Sequence, residues 1–81
     1  MQVRVRLFAS LREKAGRDRQ SLDLSDGASV EEAWSRLAHD APQLAPHRAS
    51  LTVAVNRRYA PFDTKLSEGD EIAFIPPVSG G

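Results

Sequence analysis

Ser29-Val30-Glu31-Glu32-Ala33-Trp34-Ser35-Arg36-Leu37-Ala38-His39-Asp40-Ala41 is the stretch on which the fold turns. Val30, Ala33, Trp34, Leu37, Ala38 and Ala41 recur three and four residues apart, so a helix here gathers them on one apolar face. Ser29 and Glu32 stand in the Ser-x-x-Glu spacing of a capping box, in which the hydroxyl and the carboxylate each satisfy a backbone N–H of the first turn. Pro42 marks the end of the helix, because it has no N–H to continue the ladder. One long amphipathic helix must lay its apolar face on something, and the flanking residues supply it.

Upstream, Val3, Val5 and Leu7 alternate with Gln2, Arg4 and Arg6, the period of a strand with one buried face, over residues 2–8. Ser10 and Glu13 repeat the capping-box spacing and Gly16 stands where a helix C-cap glycine belongs, so a short helical segment follows. Gln20 to Leu24 reads as a second strand and Ser25-Asp26-Gly27 as a turn, which makes a hairpin with the first strand. Downstream, the two prolines of Pro42 to Ser50 and its lack of periodicity predict a loop with at most a turn of helix. Leu51, Val53 and Val55 alternate as a third strand, Asn56-Arg57 is a tight turn, and Arg58 to Ala60 runs back as a short fourth. Glu68-Gly69-Asp70 turns into Glu71 to Ile75, where Ile72 and Phe74 share a face, and Pro76 ends that strand because it cannot donate to the ladder.

The order of hairpin, main helix, strands and final strand predicts an α+β domain, a mixed sheet curled over one main helix with Trp34 and Leu37 in the core. That is the β-grasp, or ubiquitin-like, arrangement. A ferredoxin-like domain would need a second long amphipathic helix, and residues 42–50 offer none. With 81 residues there is room for one small core. The expected division is a folded body over residues 1–75 and an extended C-terminal tail over 76–81.

Eleven basic and eleven acidic side chains cancel, which removes the usual electrostatic argument for nucleic acid or an anionic membrane as partner. Proteins or small molecules are the expected partners. Cysteine is absent, so disulfides and thiolate metal sites are excluded and any sulfur chemistry must use a group that the side chains do not supply. The first residues lack the apolar run of a signal peptide, and no stretch approaches the roughly 18 apolar residues of a membrane span. The cytoplasm is the expected location.

Strand parity exposes two further features. If Val3, Val5 and Leu7 face the helix, Phe8 faces away; if Ile72 and Phe74 face it, Ile75 faces away. With Tyr59 from the short strand, these groups could form an exposed apolar patch of the kind that marks a partner surface. Scattered exposure is the alternative, and a bulge near Ala9 or Pro76 could rotate either side chain inward. The second feature is the tail Pro76-Pro77-Val78-Ser79-Gly80-Gly81. The prolines favour an extended path, and Gly80 and Gly81, without Cβ atoms, can enter a channel too narrow for other residues. Six residues reach about 20 Å at roughly 3.3 Å each, enough to carry a terminal carboxylate into an enzyme cleft.

No catalytic constellation accompanies these features. His39 on the polar face of the main helix and His47 in the following loop have no metal-ligand spacing around them. Asp63, Asp70 and Glu71 read as turn and strand-edge acids, Ser79 has no general base in range, and Arg57-Arg58 is too short for a nucleic-acid motif.

Taken together, Phe8-Ala9-x-x-Arg12-Glu13-x-x-Gly16, Val55-Asn56 and Leu66-x-x-Gly69-Asp70-Glu71-Ile72-Ala73-Phe74-Ile75-Pro76-Pro77-Val78-Ser79-Gly80-Gly81 resemble the MoaD/ThiS group of ubiquitin-like sulfur carriers, and within it the small subunit of molybdopterin synthase. The resemblance spans almost the whole chain, with Ile75 where an aromatic is common and Ser79 where threonine is common. It implies that an E1-like activating enzyme uses ATP to convert the Gly81 carboxylate to an acyl-adenylate and that sulfur then replaces AMP. The Gly81 thiocarboxylate would donate sulfur for the dithiolene of molybdopterin, built on cyclic pyranopterin monophosphate by the large synthase subunit in a heterotetramer. By the same resemblance Pro77, Val78, Ser79 and Gly80 insert into that subunit, Phe8, Tyr59 and Ile75 contact it, and Arg12 helps dock the activating enzyme. The carrier itself would hold no cofactor or metal. A carrier for thiamine thiazole or tRNA thiolation would use the same terminus, a ubiquitin-like modifier would form isopeptides through Gly81, and a plain interaction module would not need Gly81 at all.

Overall fold

The computed structural model describes residues 1–77. Five strands form one sheet in the order β2-β1-β5-β3-β4, with β1 (Gln2–Leu7), β2 (Arg19–Asp23), β3 (Thr52–Val55), β4 (Arg58–Tyr59) and β5 (Glu71–Ile75). β1 and β5 lie parallel at the centre, and every other neighbouring pair is antiparallel. The sheet is therefore mixed, and one helix, α2 (Val30–Asp40), packs on one side of it. The β-grasp expectation holds.

Half of the expected capping box starts α2, since among the described residues the Glu32 carboxylate accepts no backbone N–H there. Ser29 Oγ accepts from the Glu32 N–H at 3.2 Å, while the Val30 and Glu31 N–H groups donate to the carbonyls of Thr64 and Phe62 at 3.0 and 2.9 Å. The otherwise unpaired first-turn donors thus tie the loop after β4 to the helix. Val30, Ala33, Trp34 and Leu37 are buried and meet Val3, Val5, Leu7, Val53, Ile72 and Phe74 from the sheet in one cluster. Trp34 meets Phe74 edge to face with ring centroids 5.0 Å apart, and Phe62 stacks on the same phenylalanine at 6.2 Å. Arg48 lies 3.4 Å over the Phe62 ring and is held there by hydrogen bonds to both carboxylate oxygens of Glu31, at 2.6 to 3.1 Å. Those bonds, aided by the opposite charge, hold the Glu31 carboxyl below its ordinary pKa.

Two expectations fail. Residues 42–50 form a run of 3₁₀ turns, Pro42–Ser50, where a loop with at most one turn of helix was expected. Its i→i+3 bonds bring every third residue into line and need no apolar stripe, and its fully buried anchor is a single side chain, Leu44. The short helix α1 (Ala9–Ala15) is present but begins at Ala9, with Phe8 at the N-cap and no side-chain cap, so Ser10 lies inside the helix and forms no capping box. The reversal after β1 is made instead by Ala9 at φ 50°. Gly16 ends α1 in the left-handed region at φ 77°, as its spacing indicated. Strand ends elsewhere differ from expectation by one residue, the scale on which terminal hydrogen bonds fray.

Candidate functional site

Among the described residues no element covers the second face of the sheet, and the register determines what that face displays. Tyr59 pairs with Ala54, Ala54 with Ala73, Ala73 with Arg6 and Arg6 with Arg19. Directly opposed residues share a face, so one row crosses all five strands as Tyr59, Ala54, Ala73, Arg6 and Arg19. The two alanines at its centre are short, and the large groups around them stand taller. The result is a hollow of about 280 Å³ lined by Arg6, Phe8, Ala54, Arg57, Tyr59, Glu71, Ala73 and Ile75.

Phe8 and Ile75 therefore lie on the open face, as strand parity indicated, Tyr59 joins them around the hollow, and no bulge turns either Phe8 or Ile75 into the core. Tyr59 is 79% exposed and Phe8 37%, while Ile75 is half-buried opposite Thr52. The Arg6 guanidinium rests 5.2 Å over the Phe8 ring. Arg12 is exposed on α1 and does not line the hollow, so the structure does not bring it to this face. Sequence reading passed over Ala54 and Ala73. Ala73 has the parity of Ile75, but its contribution is an absence of bulk, visible only once Phe8 and Tyr59 are placed around it.

The hollow opens beside the end of β5. Pro76 is buried and Pro77 exposed, so the burial of the chain changes between the two prolines. Val78, Ser79, Gly80 and Gly81, the rest of the tail singled out from sequence, lie outside the described residues.

The motif around residues 56 and 67–71 has a structural task. Asn56 and Arg57 take φ 50° and 70°, the pair of positive values that a two-residue hairpin turn of the primed type demands. The Asn56 side chain donates to Asp70 Oδ1 at 2.9 Å and accepts from the Glu71 N–H at 3.0 Å. Asp70 Oδ2 in turn accepts from the Ser67 N–H at 2.7 Å. The Gly69 N–H reaches the Gln2 carbonyl at 2.7 Å, from a backbone at φ 84° that glycine alone adopts freely. This clasp fixes where β5 starts and hence where it delivers Ile75 and Pro76.

Among the described residues no group of three or more His, Cys, Asp or Glu side chains could hold a metal, and no helix is long and apolar enough to cross a membrane. What the site offers is a shaped, largely apolar surface adjoining the base of the tail.

The model of the ThiS family matches residues 5–81. The molybdopterin synthase sulfur carrier subunit of Chlamydomonas reinhardtii is 40% identical over 83 residues, covering all of both chains. The protein of the same name from Escherichia coli is 37% identical over 81 residues, covering 98% of this chain and 99% of that one. Among solved structures, SAMP1 from Haloferax volcanii, a small archaeal modifier protein, superposes with a TM-score of 0.89 at 30% identity over the whole of both chains.

Proposed function

The chain belongs to the ThiS family, and on that premise we propose that it is the sulfur carrier subunit of a molybdopterin synthase, with the carboxylate of Gly81 as the group that carries the sulfur. A carboxylate is a poor electrophile. Its attack on the α-phosphate of ATP in an E1-like activating enzyme gives an acyl-adenylate and releases pyrophosphate, and a sulfur nucleophile then displaces AMP to leave a thiocarboxylate. That sulfur is the nucleophile delivered to cyclic pyranopterin monophosphate in the large subunit, and two sulfurs require two carriers in turn. Pro77, Val78, Ser79 and Gly80 form the arm that enters the large subunit, Phe8, Tyr59 and Ile75 form the surface that seats on it, and Arg12 assists docking to the activating enzyme. The carrier holds no cofactor of its own; ATP is consumed by the activating enzyme. It works in the cytoplasm, in a heterotetramer of two small and two large subunits.

The observation that carries this reading is the placement of the apolar hollow beside the end of β5. A partner seated on Phe8, Tyr59 and Ile75 lies next to the point from which residues 77–81 continue, so one docking event positions the arm. The names of the full-length relatives support the choice of acceptor. Coexpression with the activating enzyme and a sulfur source tests it: the intact mass should rise by one oxygen-to-sulfur exchange at Gly81, and an unchanged mass would refute it. A second reading, conjugation of Gly81 to protein lysines, is favoured by the likeness to the archaeal modifier. Isopeptide-linked adducts in place of the thiocarboxylate would select it.

A further inference from the structure

Beside the apolar hollow lies a second one of about 400 Å³, lined by Arg4, Arg6, Arg19 and Arg57 together with Val5, Gln20, Ser21 and Glu71. Glu71 is the one acid among four guanidinium groups. The two hollows are continuous, since Arg6, Arg57 and Glu71 line both.

Within the fold one of the four, Arg4, stands opposite an acid, Glu71 of β5, and the arrangement bears two costs. Arg6 stands directly opposite Arg19 on the neighbouring strand, where like charges repel at close range. Arg57 occupies the second central position of the β3–β4 turn at φ 70°, where glycine would sit without strain. Among the described residues none of the four arginines lies within 4.0 Å of a carboxylate oxygen, whereas Arg36 and Arg48 each pair with one. Among the described residues the one cation–π contact that these four make is Arg6 over Phe8, and Phe8 is itself exposed. Four guanidiniums around a single acid, kept at two local costs, have their compensation in something that binds.

We propose that the arginine hollow receives an acidic segment of the same partner protein that covers Phe8, Tyr59 and Ile75. This rests on the functional reading above and adds the charge of the partner's surface to it. Guanidinium forks match carboxylates in bidentate geometry, and a positive patch beside an apolar one steers encounter without requiring a charged molecule overall. The zero net charge of the chain favours a protein over nucleic acid, because beyond the patch acidic groups outnumber basic ones and would repel a polyanion that extended there.

The test is the association rate with the large synthase subunit, followed by stopped-flow at about 25 and about 400 mM NaCl, where screening differs severalfold in range. The parent should associate about tenfold faster at the lower salt. The double variant Arg19→Glu, Arg57→Glu should lose most of that rate and its salt dependence, with dissociation changed less than about threefold. Arg57→Gly guards against a folding artefact: it relieves the left-handed strain, so it should raise the melting temperature while still slowing association. Equal rates and salt slopes for parent and variants would overturn the inference and leave the functional reading standing; a parent that does not bind the large subunit would overturn both. Salt-sensitive binding of a short single-stranded RNA by the parent, lost in the double variant, would reassign the hollow to nucleic acid.

Discussion

The helix-facing side of the sheet and its open side are made from alternate residues of the same strands, yet different demands select them. On the covered side Val3, Val5, Leu7, Val53, Ile72 and Phe74 are almost wholly buried, and each must fit the space left by α2. On the open side Arg6, Ala54, Tyr59, Ala73 and Ile75 share rows and a hollow, and neither volume nor polarity there is dictated by folding. Aromatic residues next to alanines, and arginine opposite arginine, are poor choices for a solvent-facing sheet and reasonable ones for a surface meant to be covered. The difference teaches where to look for function: on the face where the residues depart from what the fold alone would select.

Substitutions matched across the two faces should separate stability from binding. The largest effect is expected on the covered side. Phe74→Ala removes the ring that meets both Trp34 and Phe62 and should cost about 3–5 kcal/mol of stability, a large part of the total for a domain this small. Urea denaturation should show it mostly unfolded at ambient temperature. A loss below about 1 kcal/mol would mean that the core is not organised around this ring.

Next is Tyr59→Ala on the open side. With Tyr59 79% exposed, folding stability should move by no more than about 0.5 kcal/mol. Affinity for the large subunit should nevertheless fall by about 2 kcal/mol, roughly thirtyfold by calorimetric titration, as for an aromatic anchor. Unchanged affinity would remove Tyr59 from the interface and blur the contrast between the faces.

The smallest effect concerns the far side of the molecule, where Glu31 and Arg48 are both partly exposed. Glu31→Gln should cost only about 0.5 kcal/mol at neutral pH. Because the folded-state pKa of Glu31 lies below its ordinary value, the contribution is complete above the ordinary carboxylate pKa and is lost as pH falls through the folded one. Parent and variant melting temperatures should therefore differ at pH 7 and converge in acid. A gap independent of pH would show that the cost of the substitution does not come from the ionised Glu31–Arg48 pair.

Legibility in the sequence followed how local each signal is. α2 was readable because its cap and its apolar spacing lie within one short segment, and the Asn56-Arg57 turn because two adjacent residues define it. The parity of Phe8 and Ile75 was readable too, since alternation in a strand is local, whereas Tyr59 joins them through the pairing of β4 with β3. The 3₁₀ run was not, because a single buried Leu44 leaves no period to detect. The Ser10 cap misled because a spacing that matches a capping box says nothing of where the preceding strand releases the chain, which Ala9 decides. The arginine hollow was invisible for another reason: Arg4 and Arg6 look like the polar half of an alternating strand, and only the register with β2 and the turn at Arg57 brings four guanidiniums to one place.

Every residue of the described core lies upstream of the tail, so under the proposed function the body docks and the terminus carries sulfur. Removing Gly81 alone tests that separation most directly, in a synthase assay reconstituted with the activating enzyme, ATP, a sulfur source and the large subunit. The shortened chain should fold, bind the large subunit and support no dithiolene formation. Synthase activity sustained by the chain without Gly81 would contradict the account.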